Sequence, residues 1–318
     1  MGAHNIYMSN ELLNVLVFIA GLFMIIKGAD WVTDYASRLA KKLGVSELVI
    51  GLTVVAAATS LPEMGVSIIS VFSGVVSIAT GTIIGSNISN IALILGLSAL
   101  AYPLATGRSF LKEGLATIGF SLILASSLVG GMAWYDGAVI LVLFIGYIVY
   151  IVKNSREEAK DTAKAKISAS GSKWKFLGYS LFGGTVVVVG AHLMVTSTVV
   201  LAGFLGIPEM LIAIIVIAIG TSLPELVTSV TAALKHMRGI SLGNILGSNI
   251  FNIAVLAIAS LVNTVPVTSH LLFIDIPIML FVSALLLVFM KTQWKLSRKE
   301  GVILIIIYMF FVMVQFVV

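Results

Sequence analysis

The sequence predicts an all-α polytopic membrane protein of ten transmembrane helices, arranged as two inverted five-helix repeats. Three observations carry that prediction. The 318 residues are 59% hydrophobic and only 10% charged, where a soluble domain carries about 25% charged residues, and the mean hydropathy is +1.13. Two polar words set inside apolar runs recur 162 residues apart without a gap. The lysines and arginines fall into alternate loops.

Ten runs are long enough to cross a hydrocarbon core of about 30 Å, which takes about 20 apolar residues. They are 11–35, 46–72, 78–101, 113–132, 136–153, 174–201, 208–234, 240–263, 271–291 and 301–318. The first does not read as a cleavable signal, because no basic residue precedes it and Lys27 lies inside it. The second run ends its apolar approach on Thr59-Ser60-Leu61-Pro62-Glu63, and the third contains Gly85-Ser86-Asn87-Ile88-Ser89-Asn90. After the fifth run comes the only hydrophilic stretch, 154–173, whose mixed charges and few apolar residues predict a flexible linker. The seventh and eighth runs repeat the two words as Thr221-Ser222-Leu223-Pro224-Glu225 and Gly247-Ser248-Asn249-Ile250-Phe251-Asn252, and ten of the twenty positions in 44–63 and 206–225 are identical. A duplication of that quality divides the chain into a first repeat, 1–153, the linker, 154–173, and a second repeat, 174–318. Trp31, Trp134, Trp174 and Trp294 stand near run ends and read as interface anchors.

Of the nineteen Lys and Arg only Lys27 lies well inside a run. Arg38, Lys41 and Lys42 follow the first run; Arg108 and Lys112 follow the third; Lys153 to Lys175 surround the linker; Lys235 and Arg238 follow the seventh; Lys291, Lys295, Arg298 and Lys299 follow the ninth. The remaining loops have none. The positive-inside rule then puts both termini outside and the 154–173 loop in the cytoplasm of a cell bounded by this membrane, the plasma membrane. Five helices per repeat is an odd number, so the two copies cross in opposite directions. Such inverted repeats bind their cargo at the midplane where they meet. The net charge of +5 has its origin in these loops and gives no sign of nucleic acid.

Glu63 and Glu225 need a partner or a purpose, because an ionisable group inside a bilayer costs several kcal/mol. Pro62 and Pro224 have no N–H, which predicts a bend that frees the carbonyls of Ala58 and Gly220, tolerated at membrane depth only beside a cavity. Thr59, Ser60 and Glu63 lie within one turn, as do Ser86 and Asn90 on the next helix; the second copy gives Thr221, Ser222, Glu225, Ser248 and Asn252. The pairs Gly81/Gly85 and Gly243/Gly247 predict close helix approach. Every candidate ligand is an oxygen, and no cysteine exists. That argues against zinc, copper and nickel and for hard cations. Calcium takes six to eight oxygens, whereas magnesium gives up its water reluctantly. Sodium can use the same oxygens. Two ions that compete for one site each lower the other's affinity, which is the binding logic of an antiporter.

Both words, present twice, resemble the paired repeats of the sodium/calcium exchangers of the cation/calcium antiporter superfamily, of the microbial type without a regulatory domain. The resemblance extends over nearly the whole chain and implies calcium and sodium as cargo. It implies that Glu63 and Glu225 hold calcium with the carbonyls of Thr59 and Thr221. Thr59, Ser60, Ser248 and the carbonyl of Ala56 would form one flanking sodium site with Glu63. Thr221, Ser222, Ser86 and the carbonyl of Ala218 would form the other with Glu225, and Asn90 and Asn252 would face the central space. It also implies alternating access by sliding of the first and sixth helices. Two positions depart from the family pattern: Ala58 where glycine is common, and Asn252 where potassium-dependent members carry aspartate. The second predicts exchange that does not need potassium.

Other readings stand beside these. Asp30 and Asp34 are expected to pair with Lys27 or Arg38, and Asp275 to be interfacial. His192 takes the place of Asp30 in the second copy, and neither is read as a ligand. The glutamates could instead carry protons in a proton/calcium antiporter. A cation channel is the alternative of a different class, against which a two-carboxylate closed site argues. No nucleophile with a positioned base recurs on the motif helices, so the reading is not an enzyme. It calls for no cofactor and no protein partner beyond the lipid bilayer.

Overall fold

The computed structural model describes residues 2–72, 76–161, 171–204 and 221–317. The described residues are helical nearly throughout, and every predicted run contains helix. α1 is Gly2–Leu43. α2 is Glu47–Thr59 and α3 is Leu61–Phe72, bent by 49° at a one-residue break. α4 passes through Val76–Ser89, a π-helical stretch Asn90–Leu95 and Gly96–Ala101. α5 is Arg108–Leu128, α6 Trp134–Asp161 and α7 Lys173–Phe204. α8 is Leu223–Leu234, α9 Arg238–Val262, α10 Leu271–Lys291 and α11 Arg298–Val317. Among the described residues seven helices are long and apolar enough to cross a membrane, or eight with α2 and α3 taken as one span. Of the predicted run 208–234, the part before 221 lies outside the described residues.

Three boundaries differ from expectation for local reasons. The run predicted at 113–132 is a helix over Arg108–Leu128, because Gly130 and Gly131 follow at φ +89° and +96°, a conformation no helix continues through. Gly44, at φ +67°, ends α1 in the same way. α6 continues to Asp161, so the first part of the predicted linker is helix, while 162–170 lies outside the described residues. Among the described residues a minimal two-stranded sheet, β1 (Leu104–Ala105) with β2 (Lys295–Leu296), departs from the all-helical expectation.

The two sets of loops that charge divides are the two sets the fold joins. β1 and β2 tie the α4–α5 loop to the α10–α11 loop, both flanked by basic residues. At the other end of α5, Met132 bridges to Val265 between two loops without Lys or Arg.

α4 and α9 are the most buried long helices and form the centre. Gly239, Gly243 and Gly247 recur every fourth residue on α9 and bring its backbone against α2. A Cβ on Gly247 would lie 2.6 Å from the Leu52 carbonyl oxygen, so only glycine admits that approach. The matching pair Gly81 and Gly85 has nothing within 4 Å among the described residues. The residues offset by 162 from 48–56, namely 210–218, lie outside the described residues. α1 and α7 pack antiparallel along their length. A Cβ on Gly21 would meet the Gly190 oxygen at 2.7 Å, and one on Gly28 the Gly183 oxygen at 2.8 Å. Gly183 and Gly190 stand at the repeat offset from Gly21 and Gly28, so each contact is the other's two-fold mate.

Candidate ion-binding centre

Ser60 is the break between α2 and α3, at φ −81° and ψ 9°; Ser222 holds the same conformation, φ −90° and ψ 4°, before α8. Each proline is therefore not a kink inside a helix, as the sequence suggested, but the second residue of a new one. There its missing N–H has no partner to lose. Each glutamate falls in the first turn of that new helix, where the dipole favours negative charge.

Ser-Leu-Pro-Glu has the spacing of a capping box, yet the side chains cross to the other repeat. Ser60 Oγ donates to Glu225 Oε1 at 2.9 Å, and Ser222 Oγ donates to Glu63 Oε1 at 3.3 Å. Ser86 Oγ lies 3.5 Å from Ser222 Oγ. One helical turn further the same exchange recurs between α4 and α9. Asn87 Nδ2 donates to the Asn249 carbonyl at 3.3 Å, and Asn249 Nδ2 returns the bond to the Asn87 carbonyl at 3.2 Å. Asn90 Nδ2 donates to Asn249 Oδ1 at 2.9 Å, and Asn252 Nδ2 to Asn87 Oδ1 at 3.1 Å. Apart from the Ser86–Ser222 contact, every bond in this set has its mate at the repeat offset, the signature of a two-fold contact.

What these bonds leave over defines the centre. Glu63 Oε2, Glu225 Oε2, Asn90 Oδ1, Asn252 Oδ1 and Ser248 Oγ are buried and have no hydrogen-bond partner among the described residues. Four of the five can only accept. Leaving such an atom unmet costs about 1–3 kcal/mol, more for a charged group. A cation beside such an atom would meet its demand, whereas a further acceptor would not. Among the described residues no three His, Cys, Asp or Glu gather at any point, and the donor set here is oxygen alone, as hard cations prefer.

Of the other predicted ligands, Ala56 and Thr59 are fully buried beside the break, and Thr221 is half-buried. Ala218 lies outside the described residues. Thr59 Oγ1 donates to Asn244 Oδ1 at 3.0 Å, and Asn244 Nδ2 donates to Ser229 Oγ at 2.9 Å. Sequence reasoning passed over Asn87, Asn249 and Asn244. The first two stood inside the duplicated word, and the duplication itself was the available signal. Asp30 and Asp34 do not pair with Lys27 or Arg38 but with Lys235 Nζ at the end of α8, each at 3.0 Å. Asp275, expected at the interface, lies in the first turns of α10, is buried within the protein and accepts from Gln315 Nε2 at 2.7 Å. Its offset mate Glu113 likewise accepts from the last helix of its own repeat, through Tyr147.

A membrane-spanning helical protein with a buried, oxygen-lined centre between two related halves is of the ion-transporter class. The chain belongs to the sodium/calcium exchanger family, whose sequence model, described as "Sodium/calcium exchanger protein", matches residues 13–153 and 175–317. It is 32% identical to the sodium/calcium exchanger MaX1 of Methanosarcina acetivorans over 95% of this chain and 98% of that one. It is 35% identical to an uncharacterized membrane protein of Methanocaldococcus jannaschii over 93% and 96% of the two chains. A solved structure of the sodium-calcium exchanger NCX_Mj, soaked with sodium and strontium, matches with a TM-score of 0.83 at 35% identity, over 94% of this chain and 98% of that one.

Proposed function

We propose that the protein is a secondary antiporter that exchanges calcium for sodium by alternating access, with Glu63 and Glu225 as the charged ligands. The observation that carries this reading is the two-fold set of buried acceptors left without partners among the described residues: Glu63 Oε2, Glu225 Oε2, Asn90 Oδ1 and Asn252 Oδ1. Two carboxylates match the charge of one calcium ion, and their surroundings offer the six to eight oxygens it takes. Thr59, Thr221, Ser60, Ser222, Ser86, Ser248 and the carbonyls of Ala56 and Ala218 supply neutral oxygens on either side for sodium. Both ions draw on the same two negative charges, so occupancy by one disfavours the other. The exchanger relatives support calcium and sodium as the pair. The packing of α1 against α7 through mated glycines supports their motion as one body across the rest, because close backbone contact along that seam ties the two helices to each other.

The test is calcium uptake into proteoliposomes. Uptake should follow an outward sodium gradient and persist when the proton gradient is collapsed. Uptake that follows the proton gradient and ignores sodium would replace this reading with proton/calcium exchange.

A further inference from the structure

The seam where α1 and α7 meet α8 is apolar in its middle and ionic at one end. Ile25 and Ala29 of α1, Val187 and Ala191 of α7 and Leu223 of α8 share one buried apolar cluster. At the far end of α8, Lys235 caps the helix, and His236 follows at φ +59°, which turns the chain away. The Lys235 ammonium reaches across to α1 and meets four oxygens there. Asp30 Oδ1 and Asp34 Oδ1 lie at 3.0 Å, Thr33 Oγ1 and the Asp30 carbonyl at 3.3 Å. An ammonium has three protons and accepts nothing, so this set saturates it. The residues at the repeat offset from Lys235, Asp30 and Asp34 are Ser73, His192 and Thr196. Ser73 lies outside the described residues, but none of the three is a carboxylate, so the ion cluster cannot be rebuilt at the mated positions.

We propose that Lys235, Asp30 and Asp34 form a latch, which holds α1, and α7 with it, in the register against α8 seen here and must open for the pair to slide. The proposal rests on the exchange reading above and adds to it a built-in preference for one of the two access states.

Apolar contact is non-directional, so the middle of the seam keeps its burial through a slide. The ion cluster is directional and marks one register. Asp30 and Asp34 stand one turn apart on the same face of α1, and the ammonium sits between them. A slide of one turn, about 5.4 Å, takes at least one carboxylate out of its reach. The side chains of Lys235, Asp30 and Asp34 are 28%, 34% and 48% exposed. Water can therefore replace a lost partner, and the cluster biases the register without locking it. The same charges fully buried would resist separation far more strongly. In an inverted repeat the two access states exchange the surroundings of the two halves. The mated positions lack the carboxylates, so no equal contact forms to compensate in the other state. α8 also carries Glu225 in its first turn, so the latched helix is one that bears a proposed ion ligand.

The test uses the purified full-length protein, whose chain has no cysteine. Spin labels on Leu43→Cys at the end of α1 and Leu234→Cys at the end of α8, both exposed, report the separation of the two ends by pulsed double electron–electron resonance. The parent should show two separations, the major one being that of this structure. Lys235→Met should raise the ratio of the second to the first about three- to tenfold, the worth of a partly exposed ion cluster. Asp30→Asn with Asp34→Asn should do the same, and all three changes together should add nothing more, because they remove one shared interaction. Choline chloride should raise the ratio in the parent by screening and leave Lys235→Met unmoved, which tests the latch without any change at the three positions. An unchanged ratio in Lys235→Met overturns the proposal. So do effects that add in the triple variant, or an equal response of parent and variant to salt. A single separation in every variant, with sodium, calcium or neither, overturns the sliding of α1 and α7 and the latch with it. Calcium uptake by the labelled parent under a sodium gradient keeps the exchange reading apart: uptake with an unmoved ratio sinks the latch alone.

Discussion

At the scale of single residues, the proposed ion site would work by leaving selected oxygens unmet. Ser60 and Ser222 satisfy one oxygen of each opposing carboxylate, and the other oxygen has no hydrogen-bond partner among the described residues, which in the proposed function leaves it for an ion. Glu63→Gln and Glu225→Gln should each abolish calcium exchange, because a glutamine still offers an oxygen but removes half the charge that balances calcium. Flux in vesicles checks this, and near-parental flux in either variant would remove the glutamates from the account. The two serines are mates, so Ser60→Ala and Ser222→Ala should impair calcium binding to similar degrees. Protons compete with calcium for these carboxylates, so calcium affinity should fall as the medium is acidified. Asn252 adds an amide where an aspartate would add charge. Exchange by the parent should therefore proceed without potassium, and Asn252→Asp should make the rate depend more steeply on potassium or pH. Identical profiles in the two proteins would show that Asn252 does not face the ions.

At the scale of elements, the helix starts set by Ser60 and Ser222 matter more than the helices that follow them. They turn two interior glutamates into first-turn residues at helix starts. The motif made the glutamates and hydroxyls legible, because an intramembrane carboxylate is too costly to be kept twice at a fixed offset without a function. It did not show the break, because a proline inside an apolar run reads equally as a kink or as a first-turn residue. Nor did it show Lys235 as the partner of Asp30 and Asp34, because sequence proximity favoured Lys27 and Arg38 while the fold brings the end of α8 beside α1. The α2–α9 contact depends on glycine. Gly247→Val would put a branched side chain into the Leu52 backbone and should destabilise the protein by about 1–3 kcal/mol. Gly146→Ala, which meets nothing within 4 Å among the described residues, should leave the melting temperature within a degree or so of the parent, or raise it, as a helical glycine-to-alanine change does. Thermal melts of the two variants check the contrast, and equal destabilisation would contradict it.

At the scale of the molecule, one offset of 162 residues relates the motif words, the glycines between α1 and α7, and the asparagine exchange between α4 and α9. The repeat and its helices were legible because period and hydropathy are properties of the chain in order. The asparagine exchange was not, because it exists only where the two halves meet. The inverted arrangement predicts sidedness: in this cysteine-free chain, Ser168→Cys and Ser269→Cys should label from opposite faces with an impermeant reagent, and labelling from one face would break the inversion. The central claim is that calcium and sodium occupy one shared pair of carboxylates, and it is tested most directly by calcium binding to the purified protein at rising sodium. The half-saturating calcium concentration should climb with more than the first power of sodium, because several sodium ions must leave for one calcium to enter. A calcium isotherm that sodium does not move would contradict the account.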